Sequence, residues 1–185
     1  MKQGKLFLIP IVLAENTQEA IPTYIKTIFV DTSIFIVEDL KTARRFIKSI
    51  YKEKDIDACT FIALDKHNNY NFDATVLLEI FKGKNIGLMS EAGTPCIADP
   101  GNKVVEKAHE LDIKVVPLVG PSSIMMALMA SGFNGQQFTF NGYLHIDTNE
   151  RKSKLQQMEA AAKKGITQLF MDTPYRNQKV LEEII

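Results

Sequence analysis

The sequence predicts an α/β fold made of two α/β units with mostly parallel sheets. Apolar runs of strand length alternate along the chain with stretches whose apolar residues recur at helical spacing, which is the pattern of strand–helix–strand units. The 185 residues are 45% apolar and 24% charged, a composition typical of a globular protein with a sizeable core. We therefore expect a folded protein rather than a disordered one.

In the first unit, strands and helices are predicted in regular alternation. The predicted strands are residues 6–9, 33–37, 59–63, 86–89 and 113–116. The predicted helices begin after Pro22, after Asp39 as the cap, after the polar, turn-rich residues 65–71, and after Gly101, with Gly83 as a stop signal. This order predicts a parallel sheet, because strands joined by helices run in the same direction.

A hinge is predicted at residues 116–121, and it divides the chain into domains 1–117 and 118–185. The second domain is predicted to contain a helix over 122–130 with Pro121 in its first turn and Gly132 as its stop, a strand over 138–140, a helix capped by Asn149, a strand over 167–171, and a last helix after Pro174. The last helix reaches Ile185 without a stop signal. We therefore expect the second domain to be truncated here and to continue in a longer protein.

Composition excludes several classes of protein. Lys and Arg total 22 and Asp and Glu total 22, so the net charge of +0 weakens the case for naked nucleic acid but leaves a folded ribonucleoprotein open. No apolar run approaches the roughly 18 residues of a membrane span, and the start does not resemble a signal peptide. We expect a cytoplasmic protein with no membrane partner. Cys59 and Cys96 are expected to be reduced, and three scattered histidines predict no metal site: His67, His109 and His145.

The densest loop of the chain reads Ser-Glu-Ala-Gly-Thr-Pro-Cys-Ile-Ala-Asp-Pro-Gly over residues 90–101, here called the motif loop. It follows a predicted strand and precedes a helix, which is the edge of the sheet where α/β proteins bind ligands. Gly93 permits a close approach of the main chain, and Pro95 and Pro100 stiffen the loop. From spacing alone, a purely structural turn is an equal alternative.

Two further segments also lie between a strand and a helix. Residues 120–124, Gly-Pro-Ser-Ser-Ile, place two hydroxyls at a helix N-terminus that can attract a carboxylate or phosphate, with a simple cap as the alternative. In residues 172–176, Asp172 and Arg176 can bind polar ligand groups or form a capping turn. The methionine-rich run at 124–129 is expected in the core.

Together these segments resemble the tetrapyrrole methylase family of S-adenosylmethionine-dependent methyltransferases. The resemblance is nearest to the bacterial branch that methylates a ribose 2′-hydroxyl of small-subunit ribosomal RNA. That branch has counterparts of the motif loop, of Pro-x-x-Gly-Pro-Ser at 117–122, of Ser131-Gly132, of the aromatic strand at 138–144, of Thr-Pro-Tyr-Arg at 173–176, and of Glu38-Asp39 and His67-Asn68. The similarity covers nearly the whole chain.

The resemblance implies two α/β units with S-adenosyl-L-methionine in the cleft between them. It implies that the cofactor is lined by Gly93, Thr94, Pro95 and Ile97, that its polar end is held by Ser122, Ser123 and Ile124, and that its far side is closed by Met171 and Asp172. It also implies a homodimer, with ribosomal RNA or the small ribosomal subunit as the partner.

The chain departs from the family's pattern at three places. Residues 9–14 lack the glycine of the family's first turn, which would shape the substrate cleft. Leu40 stands where the family usually has threonine, and Tyr175 stands where it has histidine.

Methyl transfer from a sulfonium mainly requires that the nucleophile and the methyl carbon be aligned, which agrees with the lack of a catalytic Ser or Cys constellation. A ribose hydroxyl is a weak nucleophile and benefits from a base, for which the candidates are Glu38, Glu91 and Asp99, with helix capping as the alternative role. Two other functions stay open. One is the same chemistry on a corrin or porphyrin precursor, and the other is a non-catalytic cofactor-binding module.

Overall fold

The structure is a computed structural model that describes residues 3–64 and 72–184. The chain divides after Ser122 into two compact units, called here the first and the second unit. The boundary expected after residue 117 stays a prediction, because a compact unit is not by itself a folding domain. The expectations for residues 65–71, which include His67 and Asn68, lie outside the described residues.

The first unit is a five-stranded sheet that is parallel, as predicted, and it has helices on both faces. Its strands are Lys5–Leu8 (β1), Thr32–Val37 (β2), Thr60–Ala63 (β3), Asn85–Met89 (β4) and Lys114–Pro117 (β5). Its helices are Ile25–Val30 (α1), Leu40–Ile50 (α2), Ala74–Phe81 (α3) and Asn102–Glu110 (α4). The strand order is β3-β2-β4-β1-β5, and every pair is parallel.

Each face of this sheet has its own core. Successive residues of β2 point to opposite faces, so Phe35 packs with α1 and α2, while Ile36 packs with α3 and α4. The predicted start and stop signals are confirmed at α2 and α3. The Asp39 carboxylate accepts a hydrogen bond from the Thr42 amide at 2.7 Å, and Gly83 has φ of +97° just after α3.

The second unit has a two-stranded parallel sheet and three helices. Its elements are Ser123–Ser131 (α5), Phe138–Tyr143 (β6), Thr148–Ala162 (α6), Thr167–Met171 (β7) and Asn177–Ile184 (α7). Its core cluster is small and consists of Leu144, Met158 and Val180, with Leu155 packed against it. The predicted α/β class is thereby confirmed in both units.

Three local expectations for the second unit are wrong. Asp147, and not Asn149, caps α6, because the Asp147 carboxylate accepts hydrogen bonds from the amides of residues 149 and 150. Helix α5 begins at Ser123, so Pro121 precedes it. The methionine-rich run is largely exposed, and only Leu128 of α5 is buried.

Candidate functional site

The motif loop is attached to the turn that follows β1. Ile11 and Gly93 form an isolated antiparallel bridge, in which the Ile11 amide donates to the Gly93 carbonyl at 2.8 Å and the Gly93 amide donates to the Ile11 carbonyl at 3.1 Å. Gly93 has φ of +67°, a conformation that glycine adopts without steric cost. The loop is therefore held at the carboxyl edge of the sheet, where the sequence places it.

Two of the predicted segments meet beside Gly93. A Cβ placed on Gly93 would lie 3.2 Å from Cδ2 of Leu13 and 3.5 Å from the carbonyl oxygen of Pro121. One residue earlier, a Cβ on Gly120 would overlap the ring of Pro10. The motif loop, the turn after β1 and the Gly-Pro-Ser segment are thus packed together in the first unit. Gly120 is required by its close approach to Pro10, whereas Gly93 is favoured by its positive φ.

The rest of the motif loop is held in an uncommon backbone conformation. Cys96 and Ala98 have φ of +71° and +61°, and such left-handed conformations cost non-glycine residues of order 1–2 kcal/mol each. Burial, and secondarily the charge of Asp99, raises the pKa of the Cys96 thiol to about 11, so this thiol stays protonated at neutral pH. Pro95 is buried, Thr94 is half-buried and Ile97 is exposed.

The three candidate bases have different surroundings. Glu38, which follows β2, accepts a hydrogen bond from the Glu91 amide at 3.1 Å and so helps to position the start of the motif loop. The Ser90 hydroxyl supports the same bend by donating to the Ala92 carbonyl at 3.1 Å. Glu91 itself is exposed, whereas Asp99 lies at the far end of the loop near Cys96. Glu91 also lines a cavity of the first unit.

This cavity has a volume of about 420 Å³ and lies between the turn after β1, helix α2 and the start of the motif loop. Its α2 wall consists of Thr42, Arg45, Phe46 and Ser49. Sequence reasoning missed these four residues as site residues. The signal that points to them is their spacing, since positions i, i+3, i+4 and i+7 share one face of a helix.

The predicted site residues of the second unit are placed on two of its elements. Ser123 is exposed and Ile124 is half-buried at the start of α5, and Met171 ends β7. Arg176 donates from Nε and Nη2 to the two carboxylate oxygens of Asp172 at 2.7 and 2.8 Å, and Nη2 also donates to the Leu144 carbonyl at 2.8 Å. These hydrogen bonds hold the pKa of Asp172 below its ordinary value. Asp172 and Arg176 therefore bind each other, and their role at a cofactor stays a prediction.

Two features are absent from the part of the chain that the structure describes. Within residues 3–64 and 72–184, no cluster of three or more His, Cys, Asp or Glu side chains is arranged to hold a metal ion. No helix in these same ranges is long and apolar enough to cross a membrane.

Comparison with known proteins assigns the family. A protein of Escherichia coli O157:H7 named "Ribosomal RNA small subunit methyltransferase I" is 32% identical over 186 residues, which cover 99% of this chain and 60% of that protein. Proteins of the same name from Haemophilus influenzae and Bacillus subtilis are each 34% identical, over 93% and 65% of this chain and over 56% and 40% of those proteins. The chain thus spans about 60% or less of the length of these relatives.

The sequence model of the family described as "Tetrapyrrole (Corrin/Porphyrin) Methylases" matches residues 25–185. The match includes the motif loop, the Gly-Pro-Ser segment and all of the second unit, so the resemblance drawn from these segments is confirmed. The chain belongs to the tetrapyrrole methylase family.

Proposed function

We propose that the protein is an S-adenosyl-L-methionine-dependent methyltransferase that acts on a ribose 2′-hydroxyl of small-subunit ribosomal RNA. The main observation in support of the proposal is that the motif loop and the Gly-Pro-Ser segment lie against each other beside Gly93. It occurs in a chain that is similar over 99% of its length to a protein named as a ribosomal RNA methyltransferase.

The residues around Gly93 fit the cofactor expected of the family. A Cβ built on Gly93 would lie 3.2 Å from Leu13 Cδ2 and 3.5 Å from the Pro121 carbonyl oxygen, so a side chain at this position would fill the space beside the bend. The adjoining Thr94 and Ile97 are not fully buried, so they remain accessible to a ligand. We propose that Gly93, Thr94, Pro95, Ile97 and Ser122 of the first unit, with Ser123, Ile124, Met171 and Asp172 of the second, hold the cofactor.

When bound, S-adenosyl-L-methionine supplies an activated methyl group, so the protein's main task is to align the acceptor hydroxyl. The bend at the motif loop performs this task without a covalent intermediate on the protein. Glu91 is the best-placed candidate to accept the hydroxyl proton, since it borders the cavity next to the loop. Glu38 is a positioning residue, because its carboxylate holds the Glu91 amide.

Cofactor binding tests the site assignment. Titration calorimetry with S-adenosyl-L-methionine is expected to show at least a tenfold loss of affinity for Gly93→Leu and for Ser123→Leu, because each adds a side chain where we place the ligand. Gly135→Leu is the matched control, since no atom of residues 3–64 or 72–184 lies within 4 Å of a Cβ at that position. Unchanged affinity in both site variants would remove the assignment.

Methyl transfer tests the substrate. The full-length protein is incubated with labelled S-adenosyl-L-methionine and with small ribosomal subunits, naked ribosomal RNA or tetrapyrrole precursors. We expect label in the ribosomal RNA of the subunits. Label in a tetrapyrrole would assign the other substrate, and label in none, with cofactor binding intact, would indicate a non-catalytic module. Cytoplasmic location and a homodimer are part of the proposal, and light scattering tests the dimer.

A further inference from the structure

A cavity and a helix face of the first unit have no role in the proposed cofactor site. We infer that the cavity between the turn after β1 and α2 receives a nucleotide of the RNA substrate, and that the basic face of α2 binds phosphates of the same strand. The inference rests on the proposed function, because it names where the substrate of that function binds.

The charge of α2 differs from that of the chain as a whole. All charged residues of α2 are basic and exposed, namely Lys41, Arg44, Arg45 and Lys48. The chain as a whole has a formal net charge of +0. The buried side of α2 is apolar and packs on the sheet through Ala43, Phe46 and Ile47. A neutral chain that concentrates cations on one helix carries a local attraction for a polyanion.

Three of these four basic residues are spaced so that they can bind the same RNA strand. Lys41, Arg45 and Lys48 are separated by four and three residues, so they lie along one face of the helix. Lys41 and Lys48 are seven positions apart, which corresponds to about 10 Å along the axis and is long enough to contact more than one phosphate of a strand. Arg44 points elsewhere, since it pairs with Asp57 at 2.6 Å and lies 5.6 Å from the ring centre of Phe61.

The cavity next to this face suits a nucleotide. Its volume of about 420 Å³ lies in the range of small-molecule sites. Val12 is half-buried and Leu13 is exposed, so these two side chains offer an apolar surface for the faces of a base. The hydroxyl oxygens of Thr42 and Ser49 can accept hydrogen bonds from its polar edge, and Ser49 itself donates to the Phe46 carbonyl at 2.8 Å.

Arg45 connects the cavity with the basic face, because it belongs to both. Arg45 forms an ion pair with Glu15 at 3.6 Å, and both side chains are exposed, at 66% and 88%. Exposed pairs of this kind contribute little to stability. A phosphate, which binds arginine through two parallel hydrogen bonds, therefore replaces Glu15 at small cost.

The position of the cavity is that required of a methyl acceptor. Glu91 and Ala92 line it and directly precede Gly93. Leu13 also lines it and is the side chain nearest to a Cβ built on Gly93, at 3.2 Å. A nucleotide in the cavity would therefore lie next to the bend at which the proposed cofactor site is centred.

The test measures RNA binding and does not depend on turnover. Fluorescence anisotropy with a labelled single-stranded fragment of small-subunit ribosomal RNA compares the wild type with the double variant Lys41→Gln/Arg45→Gln at 50 to 200 mM salt. The matched control is Lys103→Gln/Lys107→Gln, which removes the same charge from α4 on the opposite face of the sheet.

We expect the α2 variant to bind more weakly and to lower the slope of log K against log salt by about 1.4, the value for two phosphate contacts to a single strand. The control is expected to bind like the wild type, and the affinity for S-adenosyl-L-methionine is expected to be equal in all three proteins. An equal loss in the α2 variant and the control overturns the inference. So does a wild type that binds no RNA, or a cavity that binds a tetrapyrrole precursor in its place.

The outcomes separate this inference from the proposed function. If the wild type binds RNA through α2 but transfers no methyl group to it, the proposed function fails and the binding surface stands. If the wild type methylates ribosomal RNA and the α2 variant binds and methylates it equally well, the surface assignment alone fails.

Discussion

The two units have the same class of fold but differ in how much of their surface they bury. The sheet of the first unit has a full core on each face, whereas the core cluster of the second unit consists of Leu144, Met158 and Val180. The glycines show the same contrast. A Cβ on Gly87 or Gly120 would meet neighbouring side chains, but no described residue lies within 4 Å of a Cβ on Gly132, Gly135, Gly142 or Gly165.

This difference indicates that the two units are stabilised by different means. In the first unit, close packing of apolar side chains supports the motif loop. In the second unit, hydrogen bonds between charged side chains contribute a larger share of the stability. Arg151 is 2% exposed and donates to both carboxylate oxygens of Glu183, at 2.6 and 2.7 Å, and to the carbonyls of His145 and Ile146. Such a network requires that all of its partners be present.

The largest effect is expected from removing a core side chain of the first unit. Phe35 is fully buried and stacks on Phe61 with ring centres 5.4 Å apart. Phe35→Ala is expected to lower the free energy of opening of the β2 and β4 amides by about 3–5 kcal/mol. Met158→Ala in the smaller core is expected to lower the free energy of opening of the β6 and β7 amides by about 2 kcal/mol, which is the low end of the range for this substitution.

Native-state hydrogen exchange measures both values on the unit that carries each substitution. The two substitutions could instead lower the free energy of opening equally, Met158→Ala in β6 and β7 and Phe35→Ala in β2 and β4. That result would contradict the difference between the two cores.

An intermediate effect is expected from adding a single methyl group to a packed glycine. Gly120→Ala places its Cβ inside the ring of Pro10, and overpacking of this kind costs about 1–3 kcal/mol. Gly135→Ala in the second unit enters open space and is expected to change stability by less than about 0.5 kcal/mol. Urea unfolding, monitored by hydrogen exchange, measures the change in unfolding free energy for both variants. Equal destabilisation by the two variants would mean that the junction at Pro10 can relax.

The elements of the fold could be predicted because each carries a local signal. Alternating strand and helix patterns fix the class, and capping residues such as Asp39 fix boundaries within a few residues. The strand order β3-β2-β4-β1-β5 could not be predicted, because it depends on which strands pair across long distances in the sequence. The Asn149 error is of a local kind, since Asp147 is an equally good capping residue two positions earlier.

The candidate site was predicted in part for a related reason. Gly93 and Pro95 belong to a dense Gly-Pro motif that stands out in the sequence. Thr42, Arg45 and Ser49 are ordinary residues of an amphipathic helix, and only the folded chain brings them beside Glu91. The expectation that Met125, Met126 and Met129 lie in the core failed because apolar composition does not show which face of a helix is covered.

The smallest effect is expected from acid, and it should appear first in the second unit. Hydrogen bonds from Arg176 and from Arg151 lower the pKa values of Asp172 and Glu183, respectively, below their ordinary values of 3.8 and 4.5. The ionised carboxylates are therefore favoured by folding. Their contribution is complete above pH 4.5 and is lost as the pH falls through the lowered pKa values of the folded state. We expect the amide signals of β6 and β7 to change before those of β2 and β4 in an NMR titration from pH 6 to pH 2.

Asp172→Asn removes one of the titrating groups, so it should lower stability at neutral pH and flatten the acid response of β6 and β7. Simultaneous loss of both sets of signals in the wild type would show that core packing, and not these ion pairs, limits the second unit.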